Sequence, residues 1–456
     1  MGYQTVNPSN DEVLKTYYYI QDKDVEMKLQ KAHEAFQIWK NSKFDERQSF
    51  LNSLADLLLL HQKKLAETIS KEMGKPIVEA LAEVKKCAEA CRYYAEQLPD
   101  LLQRREVKAH YTHTYISFQP LGPILSIMPW NFPFWQVFRF AAPALAAGNV
   151  ILLKHSDITS GCADEIEKLF YEVNSELNLF QNLRVQHDQA ARIIADSRVC
   201  GVTFTGSARG GKQVAQTAAI NLKKIVLELG GSDPYIICED ADIEKAAKTC
   251  VKSRLTNNGQ SCVAGKRFIV HKSIVKKFSE IFIEEMGSYV IGDPLDLNTK
   301  LGPIAHRRFL KNLQDQMNGF EALKVKRTET TQSLPTYGCF MRPSALLFEK
   351  PTAGFFTEEV FGPVAMITPF EQMEEAFRWA NQSPYGLGGG IFSAQPDKVL
   401  ELAERELQSG MVAINDFVRS DPRVPFGGIK NSGYGRELGP FGIYEFVNVK
   451  TIGISG

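Results

Sequence analysis

Neither sign of charge is in excess in this 456-residue chain: 53 Lys and Arg face 53 Asp and Glu, for a formal net charge of zero. A balanced chain offers no global electrostatic case for nucleic acid or an anionic membrane as partner. Long apolar runs are missing too. The longest, Leu57–Leu60 and Ala141–Ala147, fall far short of the about 20 residues that a membrane span needs. The first residues, Met1 to Pro8, lack the basic-then-apolar order of a secretory signal, and Val6 stands where a myristoylation motif needs Ser or Thr. The eight cysteines form no Cys-x-x-Cys pair. Cys87 and Cys91 would share a helix face but have no His or carboxylate cluster beside them, so no metal site is expected. Gly-x-Gly-x-x-Gly, the usual dinucleotide fingerprint, is absent. A soluble, cytoplasmic protein of two or three domains remains, with an ordinary 44% of apolar and 23% of charged residues.

The pattern that is present changes along the chain. Asp24–Lys40, Asp45–Met73 and Glu79–Gln97 carry apolar residues at helical spacing, and Gly74 and Pro76 end the second. From Gly122 short apolar strands alternate with helices. The strands are read at Pro123–Met128, Val150–Lys154, Leu183–Gln186, Gly201–Thr205 and Ile225–Glu228. The helices between them are read at Trp135–Ala147, Cys162–Val173, Gln189–Asp196 and Gly210–Ala219. Such alternation predicts a doubly wound parallel sheet of the dinucleotide-binding kind. A second alternating block predicts a separate α/β domain: Tyr235–Cys238, a helix from Asp242, Phe268–His271, a helix from Ser273, Pro363–Thr368, Gly389–Phe392 and Val412–Asn415. Tyr111–Gln119 and Tyr444–Gly453 alternate like strands with no neighbour in sequence, and such segments pair with each other or across a subunit interface.

Four segments could carry chemistry. In Gly259-Gln260-Ser261-Cys262, small neighbours leave room for a carbonyl at Cys262, though alone the tetrapeptide reads first as a structural cysteine. Glu228 ends an apolar strand between Leu227 and Leu229, where burial would raise its pKa and suit a general base; capping the next turn is the plainer role. Pro129-Trp130-Asn131-Phe132-Pro133 is a stiff turn in which Asn131 either offers an amide donor to an oxyanion or satisfies its own turn. Phe204-Thr205-Gly206-Ser207, followed by Gly210 and Gly211, lets backbone N–H groups approach an anion at a helix N-terminus.

Taken together, these segments resemble the aldehyde dehydrogenase superfamily from about Asn7 to the C-terminus. Their order matches: the Trp-Asn-Phe-Pro turn, Lys154, the Thr-Gly-Ser turn, Glu-Leu-Gly-Gly and, thirty-four positions after Glu228, Cys262. Glu358-Glu359-Val360-Phe361-Gly362-Pro363 and Pro425-Phe426-Gly427-Gly428-Ile429-Lys430-Asn431-Ser432-Gly433 follow. The resemblance implies that Cys262 is the nucleophile, that Glu228 activates the deacylating water, and that Asn131 with the Cys262 N–H forms an oxyanion hole. It implies NAD or NADP bound at Trp130, Lys154, Asp157, Gly206, Ser207, Glu359 and Phe361. It further implies a cofactor-binding domain from 1–104 and 121–229, a catalytic domain at 230–425, and oligomerisation strands at 105–120 and 440–456 of a homodimer or homotetramer.

Glu228 to Pro234 and Ser420-Asp421-Pro422-Arg423-Val424 are similar to a short bacterial-type branch of succinate-semialdehyde dehydrogenases. A semialdehyde acid needs a cation for its far carboxylate. Arg139 matches an arginine used by those enzymes, and Ser420 lies near a serine they use. A second arginine, six positions before the cysteine, is here Thr256, so Arg254 is the candidate to replace it. Asp157, where many NAD-preferring members carry Glu, would repel a 2′-phosphate and favour NAD. Rival readings are another semialdehyde or small aliphatic aldehyde, a CoA-acylating enzyme, or a catalytically silent relative. Intact Cys262 and Glu228 speak against the last two.

Overall fold

The computed structural model describes residues 2–456. Its first α/β unit is a six-stranded sheet in the order Gly433–Tyr434, Lys224–Glu228, Gly201–Thr205, Pro123–Met128, Val150–His155, Phe180–Asn182. All its pairings are parallel except that of the edge strand Gly433–Tyr434. The central strands are buried on both faces, which explains their continuous apolar reading. The second unit is a seven-stranded sheet in the order Lys326–Glu329, Ser344–Leu347, Val364–Phe370, Gly265–His271, Asp233–Ile237, Gly390–Phe392, Ala413–Ile414. Only Lys326–Glu329 runs antiparallel in it. The two unclaimed strands find each other: Val447–Ile454 pairs antiparallel with His113–Pro120, and Arg105–Val107 adds a third strand. Among the described residues, no helix is long and apolar enough to cross a membrane.

Helix Trp135–Ala147 shows how the sheet's C-terminal edge is built. Every residue in it is buried, and it stops at Gly148, whose φ of 97° suits a residue without a Cβ. A Cβ there would also come 2.8 Å from the Arg47 guanidinium carbon, which packs beneath the helix end. Its first turn is held by Glu83, whose Oε1 accepts the Phe134 and Trp135 N–H groups at 2.9 Å each. A carboxylate at this end satisfies two orphan donors and the helix dipole together.

Three expectations need correction. Asp45–Met73 is two helices, Phe44–Leu60 and Gln62–Met73, meeting at His61. The buried positions keep helical spacing across the break, so periodicity does not see it. Leu183–Gln186 is not a strand; the sheet's edge is Phe180–Asn182. Leu183 and Val185 are buried as expected, but Arg184 offers its carbonyl to the Ile20 N–H rather than to the sheet. Tyr444 closes a short helix, Gly439–Tyr444, and the strand begins at Val447.

Candidate active site

The edges of the two large sheets face a cleft of about 670 Å³. Glu228 reaches it from the end of strand Lys224–Glu228, Asn131 from the turn after Pro123–Met128, and Cys262 from the segment before Gly265–His271. Trp130, Gly206, Ser207, Glu359 and Phe361 line the same cleft. Residues far apart in the chain thus share one wall.

The approach to Cys262 is an unusual piece of backbone. Asn257, Asn258 and Gly259 follow one another in the left-handed region, with φ of 56°, 57° and 74°. Asn tolerates that region better than other side chains. The turn is held from outside: Glu79 accepts the Asn257 N–H at 2.7 Å, and Asn258 Nδ2 donates to the Gly74 and Pro303 carbonyls at 2.8 and 3.0 Å. Gly259 packs against Gly362 and Pro363 too closely for any Cβ. Beyond it, the Lys266 ammonium donates to the carbonyls of Ser261 and Cys262 at 2.9 and 2.8 Å.

Burial pushes the Cys262 thiol up to about 11, against the pull of the Arg139 and Lys266 charges. Burial also raises the Glu228 carboxyl well above the usual carboxylate range, and Glu437 adds to the rise. Neither Glu228 oxygen has a donor among the described residues. Asn131 Nδ2 donates to the Gln260 carbonyl at 3.1 Å, which leaves its second amide proton uncommitted. The Cys262 N–H meets no acceptor among the described residues.

On the cofactor side, Ser207 caps helix Ala208–Ile220 by accepting the Gly210 N–H. Trp130 stacks on Phe309, centroids 4.7 Å apart, and meets Phe361 edge-on at 5.9 Å. Glu359 accepts the Gly231 N–H at 3.0 Å and lies 3.7 Å from Lys266. Lys154 and Asp157 stand outside the cleft wall, at and just after the end of strand Val150–His155. Lys154 is buried without a carboxylate partner within salt-bridge distance among the described residues, and burial lowers its pKa. Asp157 accepts the Tyr19 hydroxyl at 2.7 Å.

Residues 1–452 match the aldehyde dehydrogenase family. The chain belongs to the aldehyde dehydrogenase family. Among its relatives is a probable NADP(+) succinate-semialdehyde dehydrogenase of Synechocystis, 41% identical over the whole of both chains. A succinate semialdehyde dehydrogenase of Escherichia coli, named for NAD(P)+, is 39% identical over 98% of this chain and 97% of its own. The crystal structure of succinic semialdehyde dehydrogenase from Streptococcus pyogenes with NADP+ superposes with a TM-score of 0.96 at 36% identity, covering all of both chains.

Within this aldehyde dehydrogenase, neither arginine expected to receive the substrate lines the cleft. Arg139 is buried and paired with Glu437, with its guanidinium 4.3 Å from the Phe426 ring centre. Arg254 is buried beneath the cysteine turn and donates to the Gly259 and Val360 carbonyls. Arg139 also donates through Nη2 to the hydroxyl of Thr205, which lines the cleft, at 3.4 Å, while Arg254 Nε has no partner among the described residues. Ser420 also stands off the cleft wall, where it accepts from Lys86 and from the Trp135 indole at 2.7 and 3.0 Å. Lys86, Glu83, Glu79 and Lys266 went unnoticed in the sequence. Three of them lie on one helix, Ile77–Leu102, whose periodicity looks merely structural. Only the charges that fall near its buried face hint at more.

Proposed function

We propose that this aldehyde dehydrogenase oxidises succinate semialdehyde to succinate, with Cys262 as nucleophile, Asn131 as oxyanion donor and Glu228 as base. The observation carrying this reading is the convergence of those three residues on one cleft that also holds Gly206, Ser207, Glu359 and Phe361. The full-length similarity to relatives of that name supports the substrate.

The cleft fits a dinucleotide. Gly230 lies so close to Glu359 that a Cβ would collide with its carboxylate, which keeps that carboxylate at the rim for a ribose hydroxyl. Gly206 and Ser207 open a helix toward an anion, and Lys154 supplies a cation without a carboxylate of its own. Bound there, the nicotinamide would supply a two-electron acceptor for hydride. Asp157, fixed by Tyr19, favours NAD over NADP.

The protein's own part follows from its groups. Cys262 loses its proton and adds to the aldehyde carbon, forming a thiohemiacetal. Asn131 and the Cys262 N–H hold the oxygen as it gains charge. Loss of hydride leaves a thioester on Cys262. Glu228 takes a proton from water as the water attacks that thioester, and succinate departs with the thiol restored. A raised carboxyl pKa suits a base working near neutrality.

The exposed strand Val447–Ile454, with Val449, Ile452 and Ile454 open to solvent, supports assembly as a homodimer or homotetramer. The segments 105–120 and 440–456 then serve oligomerisation, 1–104 and 121–229 hold the cofactor, and 230–425 carries the nucleophile. Eight free cysteines suit a reducing cytoplasm. Light scattering at micromolar concentration tests the assembly, and a monomer would refute it.

The deciding experiment compares kcat/KM for succinate semialdehyde, glutarate semialdehyde and butanal, with NAD and with NADP. Preference for butanal would reject the substrate. Cys262→Ala should abolish NAD(P)H formation. Glu228→Gln should keep one burst of NAD(P)H per site while steady turnover falls by about 10²–10⁴-fold. Loss of the burst in Glu228→Gln would contradict the base role.

A further inference from the structure

Three consecutive carbonyls around the nucleophile are each gripped by a side chain. The Gln260 carbonyl accepts from Asn131 Nδ2 at 3.1 Å and from Asn257 Nδ2 at 3.0 Å. The Ser261 and Cys262 carbonyls both accept from one ammonium, that of Lys266, at 2.9 and 2.8 Å. Lys266 stands second in strand Gly265–His271 and is fully buried. Among the described residues, the only carboxylate within salt-bridge distance of it is Glu359, at 3.7 Å. Burying an ammonium is costly, and this one is committed to the two backbone oxygens that flank the reacting residue. Gly231 leaves room for the arrangement: a Cβ there would stand 2.8 Å from the Cys262 carbonyl oxygen.

The Ser261 carbonyl and the Cys262 N–H belong to one planar peptide unit. That unit is trans, so the N–H points opposite to the carbonyl that Lys266 holds. Aimed away from the ammonium, it meets no acceptor among the described residues. Asn131, whose second amide proton is also uncommitted, lines the same cleft. A cation on a carbonyl oxygen also draws electron density from the N–H of the same unit and makes it a stronger donor. Fixing the peptide plane and polarising it serve one end, a donor set in place before an oxyanion develops.

We propose that Lys266 is a positioning residue that aims and polarises the Cys262 N–H as an oxyanion donor, acting through the Ser261 carbonyl. This rests on the reading above in which Cys262 attacks an aldehyde. The role is separable from any pull of the ammonium on the sulfur. A charge acts on the thiolate in every reaction of Cys262, whereas an aimed N–H matters only where an oxyanion forms.

The test compares two reactions of Cys262 in the parent, Lys266→Met and Lys266→Gln. The first is the first-turnover rate of NAD(P)H formation, with the aldehyde and nucleotide that the parent prefers among those compared above. It passes through an oxyanion. The second is alkylation by iodoacetamide, in which the sulfur displaces iodide; it reports the thiolate and forms no oxyanion. Loss of one oxyanion donor costs about 10²–10³-fold, so misaiming it in Lys266→Met should lower the ratio of the two rates by about tenfold or more. Lys266→Gln, whose amide can still donate to one carbonyl, should lose less. No NAD(P)H formation in the parent, or its survival in Cys262→Ala, overturns the nucleophile reading and this proposal with it. Cys262-dependent NAD(P)H formation with the ratio intact in Lys266→Met overturns the Lys266 proposal alone. A fall of both rates by one common factor also overturns it, since that reports a distorted turn or an altered thiol rather than a misaimed donor. Should Lys266→Met not fold, Lys266→Gln is read in its place, and a parent-like ratio there overturns the proposal.

Discussion

The carboxylate of Glu228 lies against Gly427, at which a Cβ would stand 2.7 Å from Oε1. Gly427 has a φ of 148°, so its backbone also disfavours a side chain. A missing methyl group thus makes the space in which the Glu228 carboxylate rests. Gly427→Ala should displace the Glu228 carboxylate, and misplacement by about 1 Å can cost on the order of 10²-fold in rate. We expect steady turnover to drop by at least tenfold with the NAD(P)H burst preserved. Parent-like turnover in rapid-mixing kinetics would mean that this contact does not position the base.

The proposed preference for NAD rests on Asp157. Its carboxylate is anchored by Tyr19, from the segment just after the N-terminal hairpin Gly2–Val6 and Val13–Tyr18. Two like charges about 4 Å apart at a protein surface repel by about 4 kcal/mol or less. Asp157→Ser should therefore raise the ratio of kcat/KM for NADP over NAD by about tenfold or more. An unaltered ratio would show that the 2′-phosphate lies beyond the reach of this group.

Glu83 joins two tasks. It neutralises the fully buried Lys75, which lies 3.9 Å from the Phe132 ring centre, and it holds the first turn after Asn131. Breaking a buried pair by removing one partner costs about 3–5 kcal/mol. Glu83→Ala should lower stability in urea by that order and reduce kcat, because the Asn131 turn loses its anchor. Glu83→Gln, which still offers an amide oxygen to the two N–H groups, should restore kcat more than stability. Equal kcat in the two variants would remove Glu83 from the positioning of Asn131.

The pH dependence reports the cysteine. Burial raises the Cys262 thiol to about 11, against the Arg139 and Lys266 charges, so its thiolate fraction grows as pH rises from 7 to 9. We expect kcat/KM for butanal to climb over that range. A profile that stays flat from pH 7 to 9 would contradict attack by a thiol held this high.

Much of the architecture could be read before any coordinates. Strands Pro123–Met128 and Gly201–Thr205 and helix Trp135–Ala147 have the boundaries expected from apolar runs and flanking glycines. Those elements are buried on all sides, so their composition carries a strong signal. Edges were less legible. Phe180–Asn182 lies at a sheet margin with two polar residues, and the hairpin Gly2–Val6 with Val13–Tyr18 has mostly exposed or half-buried positions. Where packing does not force a pattern, the pattern is weak.

The linear order of residues determined the chemistry available: one cysteine between small neighbours, a carboxylate ending an apolar strand, and an amide in a proline-stiffened turn. It also determined the alternation from which parallel sheets follow. Only the tertiary structure decided which cations are free. Arg139 is neutralised by Glu437, far away in sequence, and Arg254 is braced by the nearby Gly259 carbonyl and the distant Val360 carbonyl. Lys86 is left with a serine 334 positions away. A residue's type is local, but whether its charge is already answered depends on what the fold brings against it.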